Sequence, residues 1–125
     1  MKQYNAYFPA IGLFIGLASL NAYATEPRQL VYAYCYVLQA SETCDNVDVK
    51  MDTEEKIEKQ VGGKFREQKT PYSDECLAGM IKAVKDEGKG LCTTAWEKYG
   101  CHGSEIPRLL QENPFKNRNG VFCKY

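Results

Sequence analysis

Six cysteines, Cys35, Cys44, Cys76, Cys92, Cys101 and Cys123, carry most of the chemistry this chain could perform. Thiols can hold zinc, cycle as a redox pair or close structural disulfides, and their spacing separates the three. A zinc site wants cysteines or histidines in closely spaced pairs, and the nearest approach is the adjacent Cys101-His102. A thiol redox centre wants Cys-x-x-Cys, which does not occur. Three structural disulfides, formed in an oxidising compartment, are the expectation. No metal and no cofactor is expected.

His102 is the only histidine. Tyr99-Gly100-Cys101-His102-Gly103 invites a phospholipase-like reading, but the Asp that such chemistry places beside its histidine is missing. Ser104 as a nucleophile would need an orienting third group and an oxyanion site, and nothing in the sequence locates either. A turn residue between two helices is the simpler reading of His102. The carboxylates Glu54, Glu55, Glu58, Asp74, Glu75, Asp86, Glu87, Glu97, Glu105 and Glu112 interleave with lysines, as on solvated helix faces. No phosphate-cradling glycine loop or dinucleotide fingerprint is present. No catalytic residue is assigned.

Tyrosine is abundant, with nine in the chain. Tyr32, Tyr34 and Tyr36 cannot all face the core from one helix, so some phenol surface is expected outside. Tyrosine gives large, rigid contact area with a polar handle, which makes these three a candidate protein-binding surface.

An export signal places this chemistry. Lys2 is the only charge before Glu26, an apolar run follows, and Ala22-Tyr23-Ala24 offers small residues to a signal peptidase. Spanning a bilayer takes about 20 apolar residues, and this run is shorter. Residues 1–24 therefore read as a cleaved signal peptide and 25–125 as a single disulfide-rich helical domain, periplasmic or secreted. The 16 basic and 16 acidic residues balance, which disfavours nucleic acid. No integral membrane span is expected after cleavage.

The elements that must position these residues are read from periodicity. Segment 28–41 fits a helical stripe through Leu30, Val31, Tyr34, Cys35, Val37 and Leu38 and also a strand alternation, its unbroken length favouring helix. Polar 45–51 predicts a loop or short extended link. Asp52 with Glu55 makes a capping-box signature for a helix stopping at Gly62-Gly63. The charged stretch 64–69 is expected to be exposed. Thr70-Pro71 predicts a helix start, with Leu77, Met80, Ile81 and Val84 facing the core and Gly88 at the end. Cys92, Ala95, Trp96 and Tyr99 mark a further helix up to Gly100. Ser104 is expected to cap another that carries Ile106, Leu109 and Leu110. Asn119-Gly120 signals a turn before a tail of Val121, Phe122, Cys123 and Tyr125.

The fold class that results is mainly α: a small disulfide-stabilised domain of four to five short helices, with room for a short extended C-terminal tail. Six cysteines allow 15 pairings. Nine positions of continuous helix hold two Cα atoms ~13 Å apart, beyond the ~7 Å a disulfide tolerates, which disfavours Cys92–Cys101. A hairpin pivoting on Lys89 predicts Cys76–Cys101 instead.

Cys76-Leu77, Cys92 and Leu109-Leu110-Gln111-Glu112-Asn113-Pro114 resemble periplasmic immunity proteins over less than half the chain. Cys101 departs from that pattern, and no residue role is carried over. The functional expectation is an exported, disulfide-braced, non-enzymatic protein-binding module of inhibitor, immunity or envelope-accessory type. Its partner would be another protein of the periplasm or extracellular space. The competing expectation is a small secreted hydrolase acting on cell-envelope polymer or lipid, which would require His102 or a pair of carboxylates in a cleft.

Overall fold

The computed structural model describes residues 23–45 and 47–112. Residues 1–22 of the expected signal peptide, the expected Asn119-Gly120 turn, Cys123 and the expected extended tail lie outside them. The described chain is mainly helical. Helix α1 spans Pro27–Thr43, α2 Thr53–Val61, α3 Ser73–Asp86 and α4 Leu91–Tyr99. Strand β1 (Val47–Asp48) lies between α1 and α2, and β2 (Gln111–Glu112) follows α4. The strands pair antiparallel, Val47 against Glu112 and Asp48 against Gln111.

Segment 28–41 is helix because it is the centre of the molecule. Pro27 opens α1, and the Glu26 carboxylate accepts from the backbone N–H groups of Arg28 and Gln29, satisfying donors a helix start leaves unpaired. Leu30, Val31, Ala33, Tyr34, Cys35, Tyr36, Val37 and Ala40 are all buried. A helix covered on nearly every side loses its amphipathic stripe, and that is what produced the strand-like alternation. Helices α2, α3 and α4 each pack on α1.

Two disulfides clamp this arrangement: Cys35–Cys76 ties α1 to α3, and Cys44–Cys92 ties the end of α1 to α4. Cys101 is also disulfide-bonded, with a partner outside the described residues. The expected Cys76–Cys101 bond is therefore absent. It presumed that α3 and α4 fold back on one another, whereas both dock on α1, which turns Cys76 toward Cys35.

Helix α3 departs further from expectation. It begins at Ser73, not at Thr70-Pro71. The Thr70 hydroxyl donates to the Glu67 carbonyl, and the Ser73 N–H donates to the Thr70 carbonyl, so these residues close turns ahead of the helix. Its buried residues are Cys76, Gly79 and Ala83. Leu77, Ile81 and Val84, expected in the core, are exposed. The disulfide fixes the helix's rotation, and glycine at position 79 lets two backbones meet. A Cβ built there would lie 2.2 Å from the Tyr32 carbonyl oxygen.

Smaller corrections have local causes. Asp52 sits at the N-cap of α2 without a side-chain capping bond; its carboxylate pairs with Lys56 at 3.2 Å. Gly62 ends α2 in the left-handed region at φ 93°, where glycine carries no steric cost. Phe65, in the stretch expected outside, is completely buried and meets the Tyr34 ring edge-on at 5.7 Å. Among the described residues no helix follows Ser104. The N–H groups of Ser104, Glu105 and Leu110 donate to the carbonyls of Glu97, Lys98 and Tyr99, and Arg108 adopts φ 67°. Ile106, Leu109 and Leu110 still reach the core. Among the described residues no helix is long and apolar enough to cross a membrane.

Candidate interaction surface

His102 and Ser104 are exposed on the turn after α4, and neither lines any of the clefts described below. Three carboxylates in or capping α2 and α3 pair with lysines one turn away, as Lys56–Asp52, Lys59–Glu55 and Lys82–Asp86. Such pairs mark wet helix surface. Among the described residues no group of three or more His, Cys, Asp or Glu is placed to hold a metal ion.

The tyrosines have a different use from the one expected. Tyr34 and Tyr36 are buried, and only Tyr32 is half exposed. Successive helix residues turn by ~100°, so Tyr34 points away from the side shared by Tyr32 and Tyr36. The Tyr34 hydroxyl donates to Glu54 at 3.0 Å, and Arg66 donates to the same carboxylate at 2.9 Å. Tyr36 donates to Asp86 at 2.7 Å, with Lys82 on that carboxylate at 3.1 Å. Tyr99 donates to Glu105 at 3.4 Å, with Lys98 beside it at 3.5 Å. One unit thus recurs three times: a phenol reaching out of the core to a surface carboxylate that a cation also holds. Counting tyrosines could not reveal this, because the acceptors of Tyr34 and Tyr36 lie 20 and 50 residues away in sequence.

Burial raises all three phenols well above the usual tyrosine value, and the neighbouring carboxylates add to the shift. The hydrogen bond from Tyr36, followed by Lys82, lowers Asp86. A phenol raised in the folded state favours its neutral form there. Its contribution is complete below the unfolded value of ~10 and is lost as pH climbs through the folded value. Alkaline titration followed by phenolate absorbance should therefore show three phenols ionising only as the fold is lost, with unfolding free energy declining above pH ~10. Titration of every tyrosine near pH ~10 in a chain that stays folded would contradict the buried placement.

Two clefts of about 630 Å³ flank α4. The first is lined by Thr25, Arg28, Gln29, Tyr32, Lys98 and Glu105, among others. Its charges are paired internally, Arg28 with Glu75 at 2.9 Å and Lys98 with Glu105. The second runs beside the Cys44–Cys92 bond and Trp96. A third, lined by Tyr34, Leu38, Lys50 and the carboxylates of α2, measures about 420 Å³.

The outer face of α3 is of another kind. Leu77, Ile81 and Val84, one turn apart, are 56%, 45% and 52% exposed. Beside them Met80, Arg66, Gln68 and Lys69 line a groove of about 310 Å³. Contiguous aliphatic surface on one helix face marks contact sites far more often than scattered apolar residues do. The sequence did carry this stripe, and only its direction was misread. Comparison with protein-family models, curated proteins and solved structures finds no match.

Proposed function

We propose that this chain is an exported, disulfide-braced, non-enzymatic protein that acts by binding another protein chain through the outer face of α3. One observation carries the reading: α3 spends its small residues Cys76, Gly79 and Ala83 on its own core and turns Leu77, Ile81 and Val84 outward. Two disulfides hold α1 against α3 and α4, so the face is preorganised and loses little entropy on docking. The hydrolase reading is the weaker one: His102 is exposed and outside these clefts, and the α2 carboxylates lining the third cleft are held by cations, Glu54 by Arg66, Glu58 by Lys64 and Glu55 by Lys59.

A photo-crosslinker replacing exposed Ala78 should give a discrete protein adduct where the chain accumulates, and Ile81→Lys should abolish it. The same crosslinker replacing Lys59, on the exposed side of α2, should give none. Adducts indifferent to Ile81→Lys, or equal at both positions, would reject α3 as the working surface.

A further inference from the structure

Charge around the α3 stripe points to what covers it. At ~100° per residue, Ile81 and Val84 lie within ~40° of Leu77, while Asp74 and Lys85 fall ~60° and ~80° to one side. Both are exposed, and neither forms an ion pair with another described residue. Opposite charges thus stand on one flank, at opposite ends of the apolar stripe.

We infer that the occupant is a second copy of this chain, docked with its α3 antiparallel across a two-fold axis passing near Ile81. This rests on the reading of α3 as a docking face. A two-fold perpendicular to the helices keeps like flanks adjacent and reverses their direction. With the axis midway between residues 80 and 81, Leu77 meets the partner's Val84, and Ile81 approaches the partner's Ile81. Asp74 then comes within ~3 Å, along the helix axis, of the level of the partner's Lys85. The second Asp74–Lys85 pair forms by symmetry. A parallel two-fold, running along the helices, would carry the two charged flanks to opposite sides of the interface, so Asp74 and Lys85 of the two copies would not meet. The Asp74–Lys85 pairing is therefore open to the antiparallel orientation only, and the stripe with its charged flank needs no second sequence as its complement.

Sedimentation equilibrium of the oxidised protein tests this. The wild type should show a concentration-dependent dimer. Ile81→Lys, which sets two cations at the axis, should weaken it roughly hundredfold. Asp74→Lys should weaken it roughly tenfold, since both symmetric pairs become repulsive. Adding Lys85→Asp to Asp74→Lys should restore affinity, and only the antiparallel pairing predicts that rescue. A dimer indifferent to Ile81→Lys, or a charge exchange without rescue, overturns the inference. So does a monomer whose melting temperature falls with Ile81→Lys, which would put the chain's own residues 113–125 on the stripe. A monomer that still gives the Ala78 adduct with a different protein also overturns it, while leaving the docking reading standing.

Discussion

Gly79→Ala should destabilise the protein by about 3 kcal/mol, lowering the melting temperature by ~10 °C or more in a domain of this size. The added methyl would meet the Tyr32 carbonyl oxygen at 2.2 Å and the Tyr36 nitrogen at 3.1 Å. Both are backbone atoms of a buried helix and cannot swing aside as a side chain could. Relief requires moving α3 away from α1, yet Cys76, three residues earlier, is bonded to Cys35 of α1. Gly63→Ala is the matched control: its added Cβ meets nothing within 4 Å, and it should change stability by less than ~0.5 kcal/mol. Equal melting of the two variants would show that α1 and α3 do not touch through their backbones.

Removing the α1–α3 clamp should cost more. The Cys35–Cys76 bond spans a sequence separation of 41, and in the chain-entropy description closing such a loop contributes about 4 kcal/mol. Small domains have a net stability of only ~5–15 kcal/mol. Cys35→Ala with Cys76→Ala should thus bring the protein near its unfolding threshold, read as a large fall in the urea midpoint. Cys35 is wholly buried, so replacing it also leaves a small void, which adds to the loss. Loss of under ~1 kcal/mol would mean that packing alone holds α3 in place.

Helices α2 and α4 were legible because glycine punctuates them, Gly62 after α2 and Gly100 after α4, and α1 because 28–41 runs unbroken by glycine or proline. Which face each helix buries was legible only where packing obeys the large-residue rule. Leu30, Val31, Val37, Leu109 and Leu110 are core as expected. On α3 the rule fails, because close approach of two backbones selects small residues over large ones, and Gly79 looks in sequence like a mere weak point. Phe65 was missed because irregular chain has no period to betray an inward side chain. The burial of Tyr34 and Tyr36 was hidden for a related reason. Phenols in sequence suggested surface, but their carboxylate partners, such as Asp86 for Tyr36, are brought close only by the fold.

The two mapped disulfides interleave, Cys35 with Cys76 and Cys44 with Cys92. An oxidant acting on thiols in order of synthesis would meet Cys35 and Cys44 first, and joining them would trap the chain in a wrong topology. While α1 is coiled, those two sulfurs ride the same rod ~13 Å apart and cannot react with each other. Yet a lone helix of this length is marginal in water. Correct maturation is thus a race between coiling and oxidation, and a slow oxidant, or an isomerase that reopens early mistakes, decides the yield.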